Sequence, residues 1–126
     1  MRTRALLVVA FGAALVLSAC GGGSSGSGNG HKVVPGAPVI EVQAKSFSFS
    51  PSTITIKAGE DVTIKLSAQD AYHDFAVDKG VGTVVSANGG ATKQGGLKIT
   101  KPGTYTFYCT VPGHRAAGME GKLVVQ

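Results

Sequence analysis

Cysteine, methionine and histidine are scarce in this chain of 126 residues, which has two, two and three of them. Helical patterns are lacking too, since no extended segment after position 35 has helical periodicity or a convincing cap. Runs of basic residues are also missing, because Lys and Arg are scattered singly without interleaved aromatic residues. Nucleic-acid binding is therefore not supported, and the apolar content of 43% is ordinary for one small globular domain.

The first 19 residues have the features of an export signal. A short basic start precedes an uninterrupted small and apolar run over residues 5–17, which is shorter than a membrane-spanning helix of about 20 residues. The run ends in Leu17-Ser18-Ala19-Cys20, which resembles the lipobox of bacterial lipoproteins, where the cysteine becomes the acylated first residue after cleavage. We expect residues 1–19 to be a lipoprotein signal peptide; an uncleaved anchor and a plain secretory signal are the alternatives.

A segment of glycine and serine separates this signal from the rest of the chain. Residues 21–30 cannot bury a core and have the composition of a flexible coil. We expect residues 20–35 to be a lipidated cysteine and a tether, with His31 as a solvated linker residue. The protein would then be exported to the cell envelope, at the outer face of the cytoplasmic membrane or in the periplasm, and held to the membrane by the lipid on Cys20. Its formal net charge would be +3, from ten basic and seven acidic residues.

Short alternating segments separated by turn residues begin near Pro38 and continue to the end of the chain. Their apolar residues recur with the period of two that a strand with one buried face requires. The expected strands include 39–43, 54–56, 62–66, 97–99 and 122–125, while the glycine-rich region from 78 to 96 has the weakest pattern. The sequence therefore predicts an all-β domain over residues 36–126, a sandwich of about eight strands in two sheets.

The stretch from Gly103 to Met119 combines a strand with three residues that bind soft metals. Alternation places Cys109 at the end of the strand and on its buried face. The thiol, imidazole and thioether of Cys109, His114 and Met119 follow one another as Cys-x4-His-x4-Met, a set that suits copper better than calcium or magnesium. Because the lipobox takes Cys20, Cys109 has no disulfide partner within the chain, and metal ligation gives the exported thiol a function.

A fourth ligand has to come from elsewhere in the chain. With His31 in the tether and His114 in the loop, His73 is the remaining histidine. It begins a strand segment in which Phe75 lies on the same side, so its ring can face the end of the core where Cys109 arrives. Two imidazoles, one thiolate and a weak axial thioether match a trigonal copper site. The alternative is a β-sandwich in which these residues occur together by chance.

These residues resemble the cupredoxins, a family of small blue-copper electron carriers. The resemblance covers about residues 38–126 and rests on His73-Asp74-Phe75, Tyr108-Cys109, Pro112-Gly113-His114 and Gly118-Met119. It implies a Greek-key β-sandwich and one copper ion, Cu(I) or Cu(II), bound by His73, Cys109, His114 and Met119. It also implies one-electron transfer without catalysis, between redox partners such as a cytochrome or a membrane oxidase or reductase. We expect a monomer.

The resemblance carries further expectations for residues beside the ligands. Asp74 occupies the position where most of the family has asparagine, and we expect its side chain to bond to Thr110 across the two ligand loops. Small apolar residues around His114 are expected to leave its ring edge at a flat patch where a partner docks, and Arg115 would favour an acidic rim on that partner. The expected docking residues are Val111, Pro112, Arg115, Ala116, Ala117 and Gly118; ordinary loop packing is the alternative.

Three other classes of copper protein conflict with the residue counts. A trinuclear cluster needs many histidines, and the same shortage excludes a copper nitrite reductase unless a partner chain adds ligands. A binuclear copper centre needs a second loop cysteine, where this chain has Gly113. A module that stores, delivers or senses copper without carrying electrons could have the same ligands, and it stays open. An adhesion-type sandwich that binds no copper is a further alternative.

Overall fold

Nine β-strands form the fold of the computed structural model, which describes residues 31–126. The predicted signal peptide, the lipid site Cys20 and the tether up to residue 30 lie outside the described residues. Between residues 31 and 126 no helix has the length and apolar character needed to cross a membrane. In chain order the strands are β1 (Val39–Lys45), β2 (Ser48–Ser50), β3 (Thr53–Ile56), β4 (Asp61–Ala68), β5 (His73–Val77), β6 (Gly82–Ala87), β7 (Thr92–Lys98), β8 (Gly103–Tyr108) and β9 (Glu120–Val125).

The strands form two sheets packed on one core. The first sheet has the order β2-β1-β4-β7 and the second has the order β3-β9-β8-β5-β6. Strands β1 and β4 run parallel, as do β3 and β9, and the other pairs are antiparallel. The chain crosses between the sheets repeatedly, as a Greek-key sandwich requires. The predicted all-β sandwich is confirmed, with nine strands in place of about eight.

Strand β7 begins five residues before the predicted segment 97–99, so the prediction for this region was too short. Its first residues, Thr-Lys-Gln-Gly-Gly, show no alternation, yet they pair with β4 from Ser67↔Thr92 to Asp61↔Lys98. Gly95 is buried here, and a Cβ at this position would overlap the carbonyl oxygen of Val84 in β6. The strand therefore forms because its backbone pairs with β4 and because glycine at position 95 allows β6 to approach closely.

The end of the predicted tether is in contact with the sandwich. The backbone N–H of Gly96 donates to the carbonyl oxygen of His31 at 2.9 Å, which makes an isolated bridge, while the His31 side chain is exposed as expected. The described part of the expected tether therefore contacts β7 through the backbone of His31.

The core joins both sheets and ends at the predicted ligands. Its centre is a group of three rings, in which Phe75 stacks on Phe107 at 4.8 Å and Phe49 meets both edge-on. In β1, β3 and β8 buried residues alternate with more exposed ones, whereas all five residues of β5 are buried. The core therefore supports β5 and β8, the two strands that carry His73 and lead into Cys109.

Candidate metal centre

The four predicted ligands lie where β5 begins and β8 ends. His73 begins β5, Cys109 directly follows β8, His114 lies in the loop between β8 and β9, and Met119 directly precedes β9. His114 is half-buried, and the other three side chains are at most 1% exposed. The N–H of Cys109 donates to the carbonyl oxygen of Met119 at 3.2 Å, and the N–H of Met119 donates to that of His114 at 3.0 Å. Backbone hydrogen bonds thus close the loop that carries three of the four ligands.

The donor atoms have the spacing of a trigonal metal site. The Cys109 Sγ lies 3.9 Å from His73 Nδ1 and 3.5 Å from His114 Nδ1, and all three donor atoms lie within 4.8 Å of one another. With bonds of about 2.3 Å to sulfur and 2.0 Å to nitrogen, as at zinc sites, donors set at 120° would be about 3.7 Å apart. One thiolate, two imidazoles and the buried thioether of Met119 therefore fit a single copper ion.

Some of the groups around Cys109 raise the pKa of its thiol and others lower it. Burial raises the pKa of the Cys109 thiol above its usual value, and the charge of the nearby Asp74 carboxylate adds to the rise. The backbone N–H groups of Asp74 and Val111, which lie against the sulfur, lower this pKa. A bound metal ion would favour the thiolate outright, with these two N–H groups as its hydrogen-bond donors.

Asp74 joins the two segments that carry the ligands. Its carboxylate accepts the backbone N–H of Thr110 at 2.6 Å and also the Thr110 hydroxyl, which is the contact expected from the sequence. The pairing of Ala76 with Tyr108 brings Asp74 beside Thr110, because antiparallel strands advance in opposite directions. The side chain of Asp74 is buried, whereas Thr110 is exposed, so this link is shielded from solvent only on the Asp74 side.

Asp70 is a site residue that the sequence analysis missed. Its Oδ1 lies 2.8 Å from the Nε2 of His73, and its Oδ2 accepts the backbone N–H of Ser46 at 3.0 Å. The hydrogen bond to His73, followed by that from Ser46, holds the pKa of Asp70 well below its usual value. The only sequence signal is the spacing Asp70-x-x-His73, which is too common to be diagnostic.

Phe47 is the second residue that the sequence analysis missed. Its ring meets the His114 ring edge-on at a centroid distance of 5.1 Å, and 48% of the residue remains exposed. Phe47 lies in the turn between β1 and β2. An exposed aromatic ring in contact with a half-buried ligand extends the apolar surface around His114.

The predicted docking residues surround His114, and most of them are exposed. Val111 is half-buried and packs against the core, whereas Pro112, Ala116, Ala117 and Gly118 are exposed. Arg115 is engaged within the chain, because its Nε donates to Glu120 at 3.0 Å and its guanidinium lies 4.1 Å from the centre of the Tyr108 ring. Much of the charge expected to attract a partner is therefore balanced by Glu120.

Comparison with known proteins agrees with this geometry. A family model described as copper-binding proteins of the plastocyanin/azurin family matches residues 37–126. Auracyanin-A of Chloroflexus aurantiacus is 32% identical across 95% of this chain and 94% of its own length. Plastocyanin of Dryopteris crassirhizoma is 35% identical across 64% of this chain and 90% of its own.

The fold is shared with solved structures as well. The structure of auracyanin A, described as a blue copper protein from Chloroflexus aurantiacus, superposes with a TM-score of 0.62. It is 27% identical to this chain and covers 72% of it, with all of its own residues matched. The matched family model covers the whole sandwich and every candidate ligand. This chain belongs to the plastocyanin/azurin family of copper-binding proteins.

Proposed function

We propose that this protein carries single electrons by means of one copper ion bound by His73, Cys109, His114 and Met119. The observation that carries the proposal is the spacing of the Cys109 Sγ, 3.9 and 3.5 Å from the two histidine Nδ1 atoms. When bound, copper supplies a one-electron couple between Cu(I) and Cu(II), which such a ligand set supports with little rearrangement.

The chain itself holds the ligands rigidly and shields most of them from water. His73 and Cys109 are fixed by neighbouring strands of one sheet, and Asp74 ties those strands together through Thr110. The loop ligands His114 and Met119 are held by backbone hydrogen bonds to one another and to Cys109. Ligands that are fixed in this way move little when the charge of the site changes, which favours fast electron exchange.

Electrons are proposed to enter and leave at the outer edge of His114. This ring is the half-buried ligand, and Phe47 together with exposed Pro112, Ala116 and Ala117 gives it an apolar border. A flat apolar border suits brief docking of a redox protein, for which we propose a cytochrome or a membrane oxidase or reductase. Because Arg115 is paired with Glu120, we expect apolar contact to contribute more than charge.

The proposed carrier is held at the cell envelope by its lipid. The lipobox-like Leu17-Ser18-Ala19-Cys20 and the glycine and serine segment that follows support this part of the proposal. A tether of this composition would keep the sandwich close to the membrane surface while leaving it free to turn towards its partners.

Adding Cu(II) to the purified apoprotein tests the proposal. We expect an intense visible charge-transfer band and a reversible one-electron couple, and we expect Cys109→Ser to abolish the band because the thiolate is its electron donor. No band in the unsubstituted protein would refute the assignment. Binding of Cu(I) alone, with transfer to an apo acceptor and no reversible couple, would instead support a copper-delivery protein.

A further inference from the structure

We propose that Asp70 is a positioning residue for the metal site, which fixes the proton of His73 on Nε2 and keeps Nδ1 free to bind copper. This inference rests on the proposed function for its consequences at the metal. The hydrogen bond joins two side chains of the chain itself, so it can be tested in the apoprotein.

The direction of the hydrogen bond follows from chemistry. A carboxylate can only accept, so the 2.8 Å contact between Asp70 Oδ1 and His73 Nε2 places the proton on Nε2. The opposite nitrogen, Nδ1, is the atom that faces the Cys109 sulfur at 3.9 Å. The partner of one ring nitrogen determines which tautomer a histidine adopts, so Asp70 prepares His73 as a ligand.

A second contact fixes Asp70 itself. Its other oxygen, Oδ2, accepts the N–H of Ser46, which belongs to the turn between β1 and β2 in the opposite sheet. Phe47, the next residue in that turn, lies against the ring of His114. One carboxylate therefore connects His73 to the turn whose aromatic ring borders the other histidine ligand.

The charge of Asp70 has a consequence for the metal. A hydrogen bond to an anion makes the imidazole a stronger electron donor, and a stronger donor favours Cu(II) over Cu(I). The Asp70 side chain is 37% exposed, whereas His73 is fully buried. The effect on the buried ligand is thus exerted from a residue at the protein surface, beside a polar groove lined by Gln43, Lys45, Ser48, Ser50 and Gln69.

Three variants distinguish the effect of the Asp70 hydrogen bond from the effect of its negative charge. Asp70→Ala removes the acceptor, and Asp70→Asn removes the charge while keeping the shape. Asp78→Asn is the matched control, because Asp78 also accepts a backbone N–H, from Thr106 at 3.0 Å, and lies beyond the far end of β5 from His73. It loses the same charge away from the metal site, and its amide oxygen can still accept the Thr106 N–H.

The first readout needs no metal. Long-range ¹⁵N NMR of the His73 ring in the apoprotein should show the Nε2–H tautomer alone in the unsubstituted protein and in Asp78→Asn. A mixture of tautomers is expected in Asp70→Ala. An unchanged tautomer in Asp70→Ala would overturn the proposal.

The second readout is the affinity for each oxidation state of copper. Loss of a hydrogen-bond partner of a metal ligand typically weakens metal binding at least tenfold, and we expect this loss in Asp70→Asn to fall mainly on Cu(II). A tenfold larger loss for Cu(II) than for Cu(I) raises the reduction potential by about 59 mV. A potential no higher than that of Asp78→Asn would overturn the proposal even if the tautomer changes. If the unsubstituted protein fails to bind copper, the proposed function fails, and the tautomer experiment still decides whether Asp70 orients His73.

Discussion

At the scale of single residues, two carboxylates lie beside the metal ligands and make different contacts. Asp74 is buried and bonds to Thr110, whereas Asp70 is partly exposed and bonds to His73. Both bring negative charge near the copper ligands without being ligands. Negative charge of this kind stabilises the more positive Cu(II) state, so both residues should lower the reduction potential.

Replacing Asp74 with asparagine should raise the reduction potential. The amide oxygen of Asp74→Asn can still accept the Thr110 N–H, so the change removes mainly the charge. A unit charge several ångströms away contributes on the order of 1 kcal/mol, which corresponds to a rise of tens of millivolts. Voltammetry of the copper-loaded protein measures this shift, with Asp78→Asn as the control for net charge. An unchanged or lower potential would contradict the hypothesis.

At the scale of strands, close packing between β6 and β7 depends on a residue without a side chain. Gly95 lies beneath the backbone of Val84, and the Cβ of an alanine would also come within 2.9 Å of the Val85 Cβ. Strand β7 forms the edge of its sheet beside β4, so the contact helps to hold the two sheets together at that edge. The metal ligands come from other strands and from the β8–β9 loop.

Gly95→Ala should therefore destabilise the fold while leaving the copper site intact. Backbone and a β-branched side chain would have to move to admit the methyl group, which costs about 1–3 kcal/mol of unfolding free energy. Urea denaturation measures the change, and the visible copper band of the folded protein should be unaltered. The control is Lys93→Ala, an exposed position in the same strand, with an expected change within about 0.5 kcal/mol. Equal stability of the two variants would show that the sheets can separate without cost.

At the scale of the whole molecule, most of the buried core consists of residues that are not metal ligands. The stacked rings of Phe75 and Phe107 and the buried residues of both sheets form one continuous cluster that extends to Cys109 and Met119. We therefore expect the apoprotein to be folded, with copper adding stability by binding only the native state.

Removing copper should lower the unfolding temperature without unfolding the protein at room temperature. Copper present at a thousand times its dissociation constant would contribute about 4.1 kcal/mol to stability, and 1 kcal/mol shifts the unfolding temperature of a domain of this size by about 4–8 °C. Calorimetry with and without a chelator measures the difference. Cys109→Ser, which lacks the thiolate, should show little dependence on copper. An apoprotein without a cooperative transition would mean that the metal is needed for folding.

Much of the metal centre could be predicted from residue types because the candidates are few. Cys109 is the only cysteine apart from Cys20, and Met119 is the only methionine apart from the initiator. His73 was the one histidine left once the other two had been assigned to the tether and the loop. Alternation likewise predicted most strands, because a side-chain period of two is a local property of the chain. The signal peptide and the lipid on Cys20 stay predictions.

The tertiary structure decided what depends on contacts between distant residues. Asp70 meets Ser46 across 24 positions, Asp74 meets Thr110 across 36, and β7 begins at Thr92 because β4 pairs with it. The Asp74 contact was anticipated only through family resemblance, and the roles of Asp70 and Phe47 were not anticipated at all. The sequence alone determined which atoms can bind copper and which segments form strands, since both are properties of residue type and local period. Which groups orient those atoms depends on sheet order and register, and these arise only when the whole chain packs.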